Sequence, residues 1–249
     1  MTASDTPEGA SFLPAIESMA RQAGEVTLRH FRRLSGYEKK GALDLVTAAD
    51  TASEEVIVGE IRRQFPDYAI LAEEGGRTGN AESEFLWVVD PLDGTTNFAH
   101  GLPLYSVSIA LLHRGEIIAG GVFAPAMGEM YLAARGHGAT RNGEPIRVSS
   151  VDQLGDAMIV ERVERALAHA QGLLRLGSAA LDFSLVAAGH IDVFYEANLK
   201  PWDMAAGVLL VREAGGRVTA LDGGEFDLFA GEMLTTNGPL HPAMIPLVK

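Results

Sequence analysis

Two carboxylates stand three positions apart in Leu86-Trp87-Val88-Val89-Asp90-Pro91-Leu92-Asp93-Gly94-Thr95-Thr96-Asn97. The apolar run from Leu86 to Val89 reads as a short buried strand that delivers them at its end. Carboxylate oxygens are ligands of hard cations such as Mg²⁺, and two on one rigid turn can share an ion or bridge a pair. Gly94-Thr95-Thr96 follows as a turn able to open a helix. Exposed N–H groups there, unobstructed at Gly94, suit a phosphate. Metal and phosphate sites built into one strand end point to metal-assisted phosphoryl transfer to water. The same residues also allow a plainer reading, an acidic corner in which Asp93 caps a helix.

A covalent alternative has to be weighed. Haloacid-dehalogenase-type phosphatases also end a strand in acids, with the pattern Asp-x-Asp-Gly-Thr, where the first Asp is a nucleophile and the second handles protons. Here the spacing is Asp-x-x-Asp with Pro91 in the gap. The extra residue turns the second carboxylate in another direction, so the nucleophile geometry fails. Other candidates are weaker when taken singly. Glu73, after the strand-like Ile70-Leu71-Ala72, reads alone as a loop glutamate, and Asp203 as a first-turn helix acid. Asp50, Thr95 and Ser178 each read as helix caps, and Glu196 as an exposed strand-end acid. The seven histidines are scattered without metal-ligand spacing and read as mostly surface residues. With no Cys, a disulfide framework, a thiolate nucleophile and a thiolate zinc site are all excluded.

The elements that must position these residues are legible in outline. Helical spacing runs through Leu13, Ile16, Ala20, Ala23, Thr27 and Phe31, predicting a helix over 12–34. A second helix starts near Asp50-Thr51, with Thr51 and Glu54 as a capping box, and stops before Pro66. Strands are expected over 86–89, 104–112 and 117–123, the last two paired across Arg114-Gly115-Glu116, with more short strands through the Asn142-Gly143 turn. After Ser149-Ser150 strands and helices alternate over 157–160, 178–188, 192–196, 203–214 and 217–221. Residues 1–150 therefore form an α+β unit, helices on a largely antiparallel sheet, that carries most of the candidate ligands. Residues 151–249 form a smaller α/β unit that carries Asp203.

Composition fits such an enzyme. The chain has 249 residues and 47% hydrophobic content, ample for a core. No apolar run approaches membrane-span length, and the polar start lacks a signal peptide's regions, so a cytoplasmic location without membrane contact is expected. A net charge of −13 disfavours direct contact with nucleic-acid phosphates.

The chain resembles the inositol monophosphatase family at four places in the family's order. These are Asp44-Leu45-Val46-Thr47-Ala48-Ala49-Asp50, Glu73-Glu74, the Asp90–Thr95 segment, and Trp202-Asp203-Met204-Ala205-Ala206-Gly207 running on to Gly215-Gly216. The resemblance implies a layered αβαβα sandwich and an Mg²⁺-dependent, Li⁺-sensitive phosphomonoesterase, commonly dimeric, with two or three ions and no phosphoenzyme. It makes Glu73, Asp90, Asp93, Asp203 and the Leu92 carbonyl metal ligands. Glu73 and Thr95 hold the attacking water, and Asp50 orients Thr95. Asp93, Gly94 and Thr95 hold phosphate. Gly177, Ser178, Ala179 and Glu196 contact hydroxyls of a small phosphorylated polyol or sugar, and Lys39 or Lys40 lies on a loop over the metals. Between Val160 and Gly177 the chain is shorter than in typical relatives, which reduces the pocket wall. Inositol 1-phosphate is the expected substrate. Relatives acting on histidinol phosphate, fructose 1,6-bisphosphate or 3′-phosphoadenosine 5′-phosphate share the metal core, and a bacterial relative binds the transcription machinery.

Overall fold

The computed structural model describes residues 8–33, 38–39, 45–160 and 171–248, with 38, 39 and 45 by backbone alone. Helix α1 (Leu13–His30) turns Ile16, Met19, Ala20 and Ala23 inward, the spacing of a one-faced helix. After a ribbon of β1 (Glu38–Lys39) and β2 (Leu45–Val46), α2 (Ala48–Gln64) adds Ile57 and Ile61 beside them. Both helices cover one face of an eight-stranded sheet. Its members are β3 (Ala69–Ala72), β4 (Gly76–Gly79), β5 (Phe85–Asp93), β6 (Ser106–His113), β7 (Glu116–Ala124), β8 (Glu129–Ala134), β9 (Ala139–Arg141) and β10 (Glu144–Ile146). They are ordered β10-β9-β8-β7-β6-β5-β3-β4 and antiparallel except for β3 against β5. The five-residue helix α3 (Thr95–Ala99) follows β5 directly.

Alternation along the strands builds the next layer. Trp87, Val89, Ile109 and Leu111 lie under α1 and α2, whereas Val88, Ala110 and Leu112 face the other way. That second face packs on α4 (Ala179–Ala187) and α5 (Pro201–Glu213), which are apolar nearly all round, as helices enclosed on both sides must be. Their far side is closed by a five-stranded sheet ordered β12-β11-β13-β15-β14. Its strands are β11 (Met158–Val160), β12 (Gly172–Leu174), β13 (Val193–Ala197), β14 (Arg217–Thr219) and β15 (Glu232–Thr236). Val160, Phe194 and Met233 point inward to the helices, while Ile159, Val193 and Leu234 point outward to α6 (His241–Val248). The result is the αβαβα sandwich. Among the described residues no helix is long and apolar enough to cross a membrane.

Several local expectations shift. The β6–β7 turn consists of Arg114 and Gly115, with φ of 51° and 82°, and Asn142-Gly143 repeats it at 50° and 86°; left-handed pairs of this kind match the twist of hairpin strands. Helix α2 begins a turn earlier than the Thr51–Glu54 box predicts. Thr47 is its N-cap and Asp50 the reciprocating acid, while the Glu54 carboxylate accepts the Glu74 N–H at 2.8 Å. Two histidines are buried rather than at the surface. His113 stacks on Phe85, and His241 lies between the Thr219 and Thr236 hydroxyls. Strands β12 and β15 and helix α6 had no clear signal in the sequence.

Candidate active site

Parallel pairing of β3 with β5 places Ala72 opposite Val89, and the Glu73 N–H donates to the Val89 carbonyl at 3.1 Å. Glu73 therefore stands beside Asp90. Residues three apart on a regular strand face opposite sides of a sheet, yet Asp90 and Asp93 share a side. The cause is a bulge: Asp90 pairs with Ser108 and Asp93 with Ser106, so three steps on β5 oppose two on β6. Pro91, which has no N–H, sits inside that bulge, where no ladder bond is lost, and Ser53 Oγ donates to its carbonyl at 2.7 Å. The Leu92 N–H turns back to Asp90 Oδ1 at 3.0 Å. Asp203 arrives from the first turn of α5, held by the Lys200 N–H at 2.7 Å. One oxygen from each of Asp90, Asp93 and Asp203 lies within 4.8 Å of the others.

Concentrating acids here has an electrostatic consequence. Burial first, then the charges of Glu73, Asp93 and Asp203, pushes Asp90 well above the usual carboxylate range. Burial first, then Asp93, pushes Asp203 up to about 7. An all-oxygen donor set carrying this much repulsion fits a hard divalent cation and offers no nitrogen or sulfur to a softer one.

Asp50 and Thr95 are joined across the chain. Asp50 is fully buried; Thr47 donates to its Oδ2 through its N–H at 2.9 Å and its hydroxyl at 2.5 Å. The other oxygen, Oδ1, lies 3.0 Å from the Thr95 hydroxyl, which is also 3.1 Å from the Leu92 carbonyl. Asp50 thus serves α2 as a cap and Thr95 as a partner. The N-cap of α3 is Gly94 rather than Thr95. Its φ is +90°, and a Cβ there would meet the Leu104 carbonyl at 2.9 Å.

Asp93 reaches into the second half of the chain. Its Oδ2 accepts from Ser178 Oγ at 2.5 Å and the Ala180 N–H at 2.8 Å, and Oδ1 from the Ala179 N–H at 3.3 Å. Ser178 occupies the N-cap position of α4 but its side chain makes no bond to its own helix. The self-capping reading of Ser178 gives way because a charged acceptor from β5 takes its proton and the free N–H groups behind it. Burial raises Asp93, and these donors pull it back down.

Two cavities meet at this point. One of about 210 Å³ is lined by Glu73, Asp90, Leu92, Asp93, Gly94, Thr95 and Asp203. Its neighbour, about 220 Å³, shares Asp93, Gly177 and Asp203 and adds Ser178, Ala179 and Glu196, the four expected hydroxyl-contacting residues being Gly177, Ser178, Ala179 and Glu196. Arg175 and Asp182 also line it, and sequence reasoning missed both. Asp182 is 2% exposed, and burial first, then Asp93 and Glu196, pushes it up to about 9. The available signal was a lone acid in the apolar run Ala179-Ala180-Leu181-Asp182-Phe183. Lys40, Asp44 and 161–170, with the shortened wall, lie outside the described residues, and Lys39 is described by backbone alone.

The model of the inositol monophosphatase family matches residues 10–249. An inositol-1-monophosphatase of Mesorhizobium japonicum is 40% identical, over 96% of each chain. A Nus factor SuhB of Xylella fastidiosa is 43% identical over 85% of this chain and 84% of its own. Among solved structures, the extragenic suppressor protein suhB of Bartonella henselae superposes with a TM-score of 0.91 at 36% identity, covering 96% of this chain and 98% of that one. The carboxylate-rich strand end and the full-length match together make this chain a phosphomonoester hydrolase that belongs to the inositol monophosphatase family.

Proposed function

We propose that the substrate is a small phosphorylated polyol, inositol 1-phosphate foremost, and that Mg²⁺ ions, two or three of them, complete the site. The observation that carries this reading is the convergence of Asp90, Asp93 and Asp203 within 4.8 Å, beside Glu73. Those four carboxylates and the Leu92 carbonyl would hold the ions. When bound, Mg²⁺ supplies a lowered pKa for the attacking water and neutralisation of phosphate charge. The Thr95 hydroxyl faces two acceptors, Asp50 Oδ1 and the Leu92 carbonyl; with its proton so engaged, its oxygen is free to accept one from that water. Glu73 would accept the other and aim the water at phosphorus. Gly94 and Thr95 N–H groups and Asp93 would position the phosphate, and Gly177, Ser178, Ala179 and Glu196 the hydroxyls of the alcohol.

Asp90 is not a nucleophile in this scheme. Hydrolysis in ¹⁸O-water in a single turnover is expected to label phosphate and leave Asp90 unlabelled; an aspartyl-phosphate trapped there would overturn the scheme. The deciding experiment for substrate is phosphate release with Mg²⁺ from inositol 1-phosphate, histidinol phosphate, fructose 1,6-bisphosphate and 3′-phosphoadenosine 5′-phosphate. Inositol 1-phosphate is expected to have the highest kcat/KM. The division of labour between residues 1–150 and 151–249 belongs to the same proposal, as does a homodimer, which light scattering would check.

A second reading, binding to the transcription machinery, is favoured by the relative named as a Nus factor. Co-purification with RNA polymerase subunits tests it, and persistence of that association in Asp93→Asn would separate it from catalysis.

A further inference from the structure

Asp182 has no part in the cation cluster. Among the described residues it makes no hydrogen bond to Asp90, Asp93 or Asp203, and it lies outside the group whose oxygens converge. Its N–H is spent inside α4, on the Ser178 carbonyl at 3.0 Å. Yet its side chain lines the 220 Å³ cavity beside Ser178 and Glu196. The residue is 2% exposed, and its Oδ1 is buried without a hydrogen-bond partner among the described residues. Buried polar atoms in folded proteins are nearly always paired, so an unpaired carboxyl oxygen on a residue that lines a cavity is a standing cost to the fold. Such a cost persists where a partner arrives from outside.

We propose that Asp182 is a specificity-determining residue of this pocket, a buried carboxyl that hydrogen-bonds a hydroxyl of the substrate's alcohol. The inference rests on the polyol-phosphate reading above and names a further group that reads the polyol. A carboxyl held neutral by burial can both donate and accept, as a hydroxyl does, and so pairs with a polyol without bringing a second negative charge toward the phosphate. The neighbouring wall supports the assignment. Ser178 Oγ and the Ala179 and Ala180 N–H groups are committed to Asp93. Asp182, by contrast, keeps a carboxyl oxygen with no partner among the described residues. A site whose polar groups await a hydroxyl rejects an analogue without one, because the group is then left unpaired.

The test compares kcat/KM for myo-inositol 1-phosphate with that for p-nitrophenyl phosphate, whose alcohol has no free hydroxyl. Calorimetry of myo-inositol binding in phosphate buffer with Mg²⁺ gives a readout apart from turnover. Asp182→Leu is expected to lower the kcat/KM ratio by about tenfold or more, chiefly through KM for the polyol phosphate, and to weaken myo-inositol binding in parallel. Asp182→Asn, which keeps an acceptor and a donor in the same outline, is expected to hold the ratio within about threefold. Should Asp182→Leu fail to fold, Asp182→Ser, which draws the polar group back from the cavity, reads the same ratio. A folded Leu or Ser variant with the wild-type ratio and wild-type myo-inositol affinity overturns the proposal, as does an Asn variant that loses as much as Leu. Wild-type enzyme with no preference for the polyol phosphate removes the substrate reading and this inference with it. A wild-type preference that survives Asp182→Leu overturns the role of Asp182 alone.

Discussion

Asp93 belongs to two parts of the molecule at once. One face of its carboxylate joins Asp90 and Asp203, and its oxygens also accept from Ser178 Oγ and from two N–H groups at the start of α4. Asp93→Asn would remove a charge from the cation cluster and turn an amide N–H toward the groups that now donate to Asp93. A loss of about 10²–10³-fold in kcat is expected on every phosphomonoester, which steady-state kinetics on a folded variant would check. Glu196, in the adjoining cavity, answers differently. Glu196→Gln keeps the outline but mixes a donor into an acceptor, and is expected to cost about 1–3 kcal/mol in kcat/KM on a polyol phosphate. The effect on p-nitrophenyl phosphate should be smaller. Equal losses on both substrates would assign Glu196 to the cation cluster or the fold.

At the scale of elements, the site depends on how closely α4 and α5 approach. Gly207 in α5 faces Phe183 in α4, where an added Cβ would stand 2.4 Å from the Phe183 Cβ. Neither atom is the far end of a flexible chain, so the helices must part. Gly207→Ala is therefore expected to destabilise by about 1–3 kcal/mol in denaturant titrations. Because α5 carries Asp203 and α4 holds Asp93, the same variant should also bind Mg²⁺ more weakly. Gly59→Ala makes the contrast. That glycine is exposed inside α2, with nothing within 4 Å of a new Cβ, and the change should stabilise by about 0.5–1 kcal/mol. A destabilised Gly59→Ala would show that α2 is constrained in a way its surroundings do not explain.

For the molecule as a whole, the buried acids tie stability to pH and to cations. Asp203 titrates at about 7 in the folded chain against an ordinary 3.8, so the native state binds more protons than the unfolded one between those values. The stability this contributes is fully present below about pH 4 and is lost as pH rises through about 7. Asp90, pushed well up, and Asp182, at about 9, act in the same direction. In chelator, Tm is therefore expected to fall from pH 5 to pH 8. Added Mg²⁺ should restore it, more strongly at pH 8 than at pH 5, since cations bind the ionised carboxylates. Activity should vanish in chelator and return with excess Mg²⁺, and Li⁺ should inhibit. A Tm in chelator that stays level across that range, or a larger Mg²⁺ effect at pH 5, would contradict this account.

What the sequence by itself determined is the short-range part. The apolar run before Asp90 announces a strand, the spacing of Ile16, Ala20 and Ala23 a helix, and Arg114-Gly115 and Asn142-Gly143 their turns, because periodicity and turn chemistry act over a few residues. Asp90 and Asp93 were nameable too, as a pair at the end of a recognisable strand, whereas Glu73 and Asp203 stood out only through the resemblance to the family. Only the tertiary structure decided how the four acids meet. The bulge that brings Asp90 and Asp93 to one side is a matter of register against β6. The donors that hold Asp93 come from 85 to 87 positions away, and Asp50 meets Thr95 across 45. Asp182 looks like an ordinary helical acid until α4 is enclosed between two sheets and the residue lines a cavity with a buried, unpaired carboxyl oxygen. Hydrogen bonds across such distances and the burial of a whole helix depend on which strands pair and which layers stack, and no local pattern in the chain encodes that alone.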